Sequence, residues 1–178
     1  VTILPCLVKL SKIFQDPEMQ KVHLQNITNA SVDKSWRVRN ELANLYPQFI
    51  DYFTNNSNID LVTPICTLMK DSETEVKTSA LKALNAVIKK LPSDKVSSII
   101  VPTLRGLNNE SNKDTKANIG LSFGPIARII GYNGFNTNLG VMMDSLMKDE
   151  NAEVRLGIAR SMYDIFISSD GALVSSIN

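Results

Sequence analysis

Asp71-Ser-Glu-Thr-Glu-Val76-Lys77 is the stretch whose reading decides the fold, because the chain repeats it. An acid, four residues, then Val or Thr followed by a base recurs as Asp33-Lys-Ser-Trp-Arg-Val38-Arg39. It recurs again as the degenerate Glu110-Ser-Asn-Lys-Asp-Thr115-Lys116 and as Asp149-Glu-Asn-Ala-Glu-Val154-Arg155. The Val/Thr positions 38, 76, 115 and 154 are separated by 38, 39 and 39 residues. Periods in this range belong to solenoids, in which each unit buries its apolar face only by stacking on a neighbour. The function of such arrays is usually to hold partners.

Working outward from the signature, the apolar positions fall into register. Val38, Leu42, Leu45 and Phe49 follow the first copy, and Val76, Ala80, Ala83 and Val87 the second. Val154, Ile158, Ser161 and Ile165 follow the fourth, and Thr115, Ile119, Ser122 and Ile126 give a weaker third face. Steps of 4, 3 and 4 trace one stripe of an α-helix. Tyr46, Leu84, Phe123 and Met162 widen it. A second stripe precedes each signature: Leu24 and Ile27; Val62, Ile65 and Leu68; Val101, Leu104 and Leu107; Met143 and Leu146. The reading is two helices per unit joined by a turn at the signature.

The expected fold is therefore all-α, an α-α superhelix of about four helical pairs with partial units at both ends, forming a single array over 1–178. Residues 1–15, with Ile3, Leu7, Leu10 and Phe14 in phase, predict the second helix of a truncated unit. Complete pairs are expected over 17–54, 57–91, 93–131 and 134–169, and 171–178 would begin another. Asp16-Pro17, Asn55 to Asn58, Leu91 to Asp94, Gly131 to Gly134 and Ser168 to Gly171 punctuate these boundaries. Ser72-Glu-Thr-Glu75 has capping-box spacing. Pro64 and Pro102 are expected to bend first helices. Gly120, Ser122 and Gly124 predict the softest joint of the array. The absence of an initial Met and the apolar patterns at both ends suggest a piece of a longer array.

Nineteen Lys and Arg against eighteen Asp and Glu leave a formal charge of +1, so no basic field favours nucleic acid or an anionic membrane. No apolar run approaches the ~18 residues of a membrane span, and the first residues do not resemble a signal peptide. Cys6 and Cys66 lie in helical patterns without CxxC spacing and read as buried free thiols of a reducing compartment.

The paired helices, the first-helix proline, the turn acid and the Val-Arg of the second helix resemble the HEAT-repeat pattern. Within it, the chain is similar to the scaffolding A subunits of type-2A protein phosphatase. The segments that carry this are Asp33 to Arg39, Asp60-Leu-Val-Thr-Pro64 with Leu68-Met-Lys-Asp71, and Leu146-Met-Lys-Asp-Glu150 with Glu153-Val-Arg-Leu156. The resemblance covers nearly all of the chain, and Ser35-Trp-Arg-Val-Arg39 is its most specific part. It departs at Gln25, where a proline is expected, and at Glu110 and Thr115. The resemblance implies an open horseshoe without catalytic residues, whose turns form a ridge. A B-type regulatory subunit would dock on that ridge, and the catalytic subunit on repeats outside this stretch. It further implies a cytoplasmic or nuclear protein.

The candidate partner-binding residues are those of the turns: Asp33, Lys34, Ser35, Trp36 and Arg37; Asp71, Ser72 and Glu73; Asn112 and Lys113; Glu150 and Asn151. Trp36, the sole tryptophan, beside Arg37 is an interface-type pair, and packing over its own helix is the other reading. Arg39, Lys77, Glu110, Lys116, Asp149 and Arg155 read as a structural ladder, with the acids also placed to cap second helices. His23, the only histidine, occupies the slot of Leu61, Ile100 and Leu139 and reads as a packing residue. No metal or cofactor is expected: no ligand cluster or phosphate-loop motif is present. Gly120 to Gly124 lies mid-helix and reads as crowding, and Phe135 as a tucked connector aromatic.

The expected function is thus a non-catalytic scaffold of a serine/threonine phosphatase 2A holoenzyme, binding proteins and neither nucleic acid nor membrane. A nuclear transport receptor or other adaptor is the alternative, although acidic runs and long inserted loops are missing. A HEAT-like DNA glycosylase would require a basic, aromatic-lined groove that the balanced charge does not supply.

Overall fold

The computed structural model describes residues 3–11, 16–53 and 60–169. The Asn55–Asn58 connector, Phe14 and the helix start at Gly171 lie outside them. The described residues are all-α. In chain order the helices are α1 (Ile3–Ser11), α2 (Pro17–Ser31), α3 (Trp36–Phe53), α4 (Val62–Met69) and α5 (Thr74–Val87). A 3-10 turn, Ile88–Lys90, ends α5. Then follow α6 (Ser93–Lys95), a π-helical stretch (Val96–Ile100), α7 (Val101–Arg105), α8 (Lys113–Met147) and α9 (Ala152–Ser168). The chain forms two compact units, divided in sequence between Lys90 and Leu91.

In the first unit the second-helix stripe does what its period dictates. Leu42, Tyr46 and Phe49 of α3 and Val76, Ala80, Leu81 and Leu84 of α5 are fully buried, as are Ile65, Leu68 and Met69 of α4. Burial of a side chain of this size stabilises by about 1.5–3 kcal/mol relative to exposure. Tyr46 satisfies its phenol by donating a hydrogen bond to the Leu61 carbonyl, and burial pushes its pKa well up. Asp60 opens α4: Oδ1 accepts the Val62 and Thr63 N–H groups at 3.0 and 3.1 Å. His23 is buried in α2, and burial pushes its pKa down, which favours the neutral ring at pH 7.

The second unit departs from expectation at its connector. Tyr132, Asn133 and Gly134 are helical, and only Gly131 breaks α8, at φ 75° and ψ 159°. That backbone region is essentially restricted to glycine. One residue therefore turns the second helix of one pair into the first helix of the next. Phe135, just past the break, is buried against Phe123 of the first half, edge-on at 5.4 Å.

The prolines also need correction. α4 begins at Val62, so Pro64 lies in its first turn, where the missing N–H would have had no helical partner anyway. Pro102 lies in the first turn of α7, one residue past the π-helical stretch, whose wider turn closes with a Val101 N–H bond to the Val96 carbonyl. The prolines truly inside helices are Pro47 in α3 and Pro125 in α8. Pro125 cannot donate to the Leu121 carbonyl. Ser161 Oγ of α9 reaches that oxygen at 3.1 Å and the Gly120 carbonyl at 2.7 Å.

Gly120 and Gly124 of α8 lie where α9 packs against it. A Cβ on Gly120 would stand 2.9 Å from Ile158 Cδ1, and one on Gly124 3.1 Å from the Ser161 carbonyl. A Cβ on Gly157 would meet the Ala117 carbonyl at 2.4 Å. The small residues let α8 and α9 approach backbone to backbone.

Candidate partner-binding edge

Each signature builds the same turn, and its acid is the pivot. The N–H groups of Asp33, Asp71, Glu110 and Asp149 donate to the carbonyls three residues back, Ala30, Leu68, Leu107 and Leu146, at 3.1–3.4 Å. Their carboxylates then accept the N–H two residues ahead. The bonds are Ser35 to Asp33 at 2.8 Å, Glu73 to Asp71 at 2.9 Å, Asn112 to Glu110 at 3.0 Å and Asn151 to Asp149 at 2.9 Å. Glu110 also takes the Ser111 N–H at 2.9 Å, so the longer arm preserves the turn in the degenerate copy.

This geometry corrects the capping expectation. The acids bind the N–H of the residue that precedes the helix, not those of the helix itself. Asp71 holds Glu73 extended (φ −86°, ψ 125°), so α5 starts at Thr74 and Glu73, not Ser72, is its N-cap. The side-chain caps in the second unit are asparagines. Asn112 Oδ1 accepts from the Asp114 and Thr115 N–H groups at 3.0 Å, and Asn151 Oδ1 from Glu153 at 2.9 Å. Asn112 and Asn151 are half-buried, and each gives its Oδ1 to its own helix. The S/T/D/N rule marks such positions, but the acid two residues earlier drew the cap assignment away from them.

The ladder has two rungs within the units. Arg39 Nε and Nη2 grip Asp71 Oδ2 and Oδ1 at 2.5 and 2.9 Å, with side-chain exposures of only 13% and 6%. Arg39 Nη1 also donates to the Asp33 and Lys34 carbonyls at 2.6 and 3.3 Å. One guanidinium therefore closes its own turn and fixes the next. Lys116 Nζ meets Asp149 Oδ2 at 2.5 Å in the second unit. Arg155 closes its own turn on the Asp149 and Glu150 carbonyls at 2.7 and 2.9 Å. Asp71 consequently belongs to a rung and not to the accessible edge.

The electrostatics agree. Burial pushes the Asp71 carboxyl up, but the Arg39 and Glu73 N–H bonds and the charges of Arg39 and Lys77 outweigh it and leave it below its usual range. The Lys116 bond, followed by the Asn151 N–H, holds Asp149 below its usual range.

What faces outward is the rest of each turn. Asp33, Lys34, Ser35, Arg37, Ser72, Glu73, Lys113 and Glu150 are exposed, and Trp36 is half-buried. The Arg37 guanidinium lies 4.9 Å from the Trp36 ring centroid, within cation–π range. An open groove lies beside this edge in the first unit, lined by Val32, Asp33, Thr67, Lys70 and Ser72 among others. Sequence reading missed the Ser161 bond and the Tyr46 anchor. Pro125 with a serine on the facing helix was the available signal for the first; nothing in the sequence marked the second.

Among the described residues no helix is long and apolar enough to cross a membrane. No family profile and no curated protein matches the chain. A crystal structure of an engineered protein is similar in fold, with a TM-score of 0.65 at 16% identity over 85% of this chain. The chain spans 65% of that structure's length. At this identity the likeness speaks for the all-α fold alone.

Proposed function

We propose that the chain is a non-catalytic scaffold module that binds protein partners along its turn edges. The observation that carries this reading is the division of labour within each turn. Asp71, Asp149, Arg39 and Lys116 are spent on holding successive turns in place, while Lys34, Ser35, Trp36 and Arg37 are left on the outside of a turn so fixed. A pre-set, half-buried Trp with a stacked Arg loses little side-chain freedom on binding, which favours an anchoring role.

The resemblance in the turn segments supports a choice of partner. We read the module as part of a phosphatase 2A-type scaffold that takes a regulatory subunit on this edge, acting in the cytoplasm or nucleus. A pull-down with purified regulatory and catalytic subunits tests it. Retention of the regulatory subunit by the native chain, and its loss on Trp36→Ala/Arg37→Ala, is expected. No retention by native protein would detach the fold from this function.

A further inference from the structure

The position directly after each turn acid is exposed in all four copies and is filled by Lys34, Ser72, Ser111 and Glu150. Two of these are serines, 39 residues apart. Each serine has an exposed acid three residues ahead, Glu75 and Asp114 respectively. Ser72 is also followed directly by the exposed Glu73.

The fold decides which hydroxyls in such a setting are available. Among the described residues one other serine or threonine, Ser161, has an acid at the same spacing, Asp164. Ser161 is 3% accessible and spends its hydroxyl on the Gly120 and Leu121 carbonyls. Ser72 and Ser111 stand at the tips of their turns instead. The carboxylate before each accepts the N–H of the residue after it, Glu73 or Asn112, and the serine hydroxyl takes no part in that bond.

We propose that Ser72 and Ser111 are phosphorylation sites for an acid-directed serine kinase, which recognises the carboxylate three residues beyond its acceptor. The step is transfer of the γ-phosphoryl group of ATP. Serine Oγ forms the new bond to the γ-phosphorus, and the bond from that phosphorus to the bridging oxygen breaks. ADP leaves, and the hydroxyl proton passes to a carboxylate base of the kinase. Ser72, with two acids ahead, is filled before Ser111, which is followed two residues on by the cation Lys113. Each phosphate brings about −1.5 to −2 charges, so the pair takes the formal charge from +1 to about −2 or −3. Glu150 already places an anion at this position, with the Asn151 to Asp149 bond of its turn intact. Ser72 shares its open groove with Lys70, so a phosphate there meets a cation that the Arg39–Asp71 rung does not use.

The test is incubation of the folded native chain with casein kinase II, an acid-directed kinase, and Mg-ATP, read by intact mass and phosphopeptide mapping. The expected product carries phosphate on Ser72 first and on Ser111 second. Ser72→Ala and Ser111→Ala each lose one of the two phosphates. Glu75→Gln slows entry at Ser72 alone and Asp114→Asn at Ser111 alone, so the other serine reports in each case that the chain is folded and the kinase active. Absence of phosphate from either serine of the folded native chain would overturn the proposal, as would rates that neither acid substitution changes.

Discussion

Removing Asp71 isolates what the rung contributes. Asp71→Ala deletes two charge-assisted bonds from Arg39 and the acceptor of the Glu73 N–H. Bonds to charged groups contribute about 1.5–3 kcal/mol. Exposed ion pairs contribute about 0–1 kcal/mol, whereas breaking a fully buried pair costs about 3–5 kcal/mol. With side chains 13% and 6% exposed, the Arg39–Asp71 pair lies nearer the buried limit, though Arg39 keeps its bonds to the Asp33 and Lys34 carbonyls. We therefore expect Asp71→Ala to cost about 3 kcal/mol, with a coupling to Arg39→Ala of about 1.5–2 kcal/mol. Urea unfolding followed by Trp36 emission reads this directly, since the sole tryptophan lies in the same unit as the rung. The exposed Glu18–Lys21 pair, with side chains 76% and 73% accessible, serves as the uncoupled control. A coupling below about 0.5 kcal/mol for Arg39–Asp71 would mean that the rung behaves as an ordinary surface pair. The account of how the turns are held would then be wrong.

Gly157→Ala should cost at least about 2 kcal/mol, because its Cβ would meet the Ala117 carbonyl at 2.4 Å. Gly134→Ala, whose nearest neighbour is 3.5 Å away, should instead be neutral or gain up to about 1 kcal/mol, with thermal melts of the two variants as the check. Ser161→Ala should lose about 1–3 kcal/mol by leaving the Leu121 carbonyl unpaired. Pro125→Ala in that background should restore part of the loss by returning a helical donor; no restoration in urea unfolding would disprove the link. Asp71 and Asp149 are depressed in the folded state, so their contribution is present above the unfolded carboxylate value of about 3.9 and is lost as pH falls through their lower folded values. Acid-unfolding curves should therefore steepen below about pH 4 and flatten in Asp71→Asn and Asp149→Asn proteins.

The helices were legible because their signal is local. Val38 to Phe49 and Val76 to Val87 repeat at helical spacing, and the turn acid recurs at fixed distance. A ladder of turn charges was legible as well, although Asp71, the partner that Arg39 takes, was not read as part of it. What escaped depended on two segments at once. Ser161 matters because Pro125 strips a donor from the facing helix, and neither residue announces the other. Gly120 and Gly124 looked flexible in the sequence, yet each lies against the backbone of α9. The Gly131–Gly134 connector shrank to one residue because a single positive φ suffices to redirect a helix. In the candidate edge, Asp71, Asn112 and Asn151 were read as contact residues by position alone; their side chains are taken up by the turn.

The most direct test is the affinity of a purified phosphatase regulatory subunit for the native chain, for Trp36→Ala/Arg37→Ala, and for Lys82→Ala/Lys89→Ala, which alters exposed lysines away from the turns. A loss of at least about tenfold for the first pair, equivalent to about 1.4 kcal/mol, with no change for the second, is the predicted result. Equal affinities for all three proteins, or no binding by the native chain, would contradict the claim that the turn edge holds the partner.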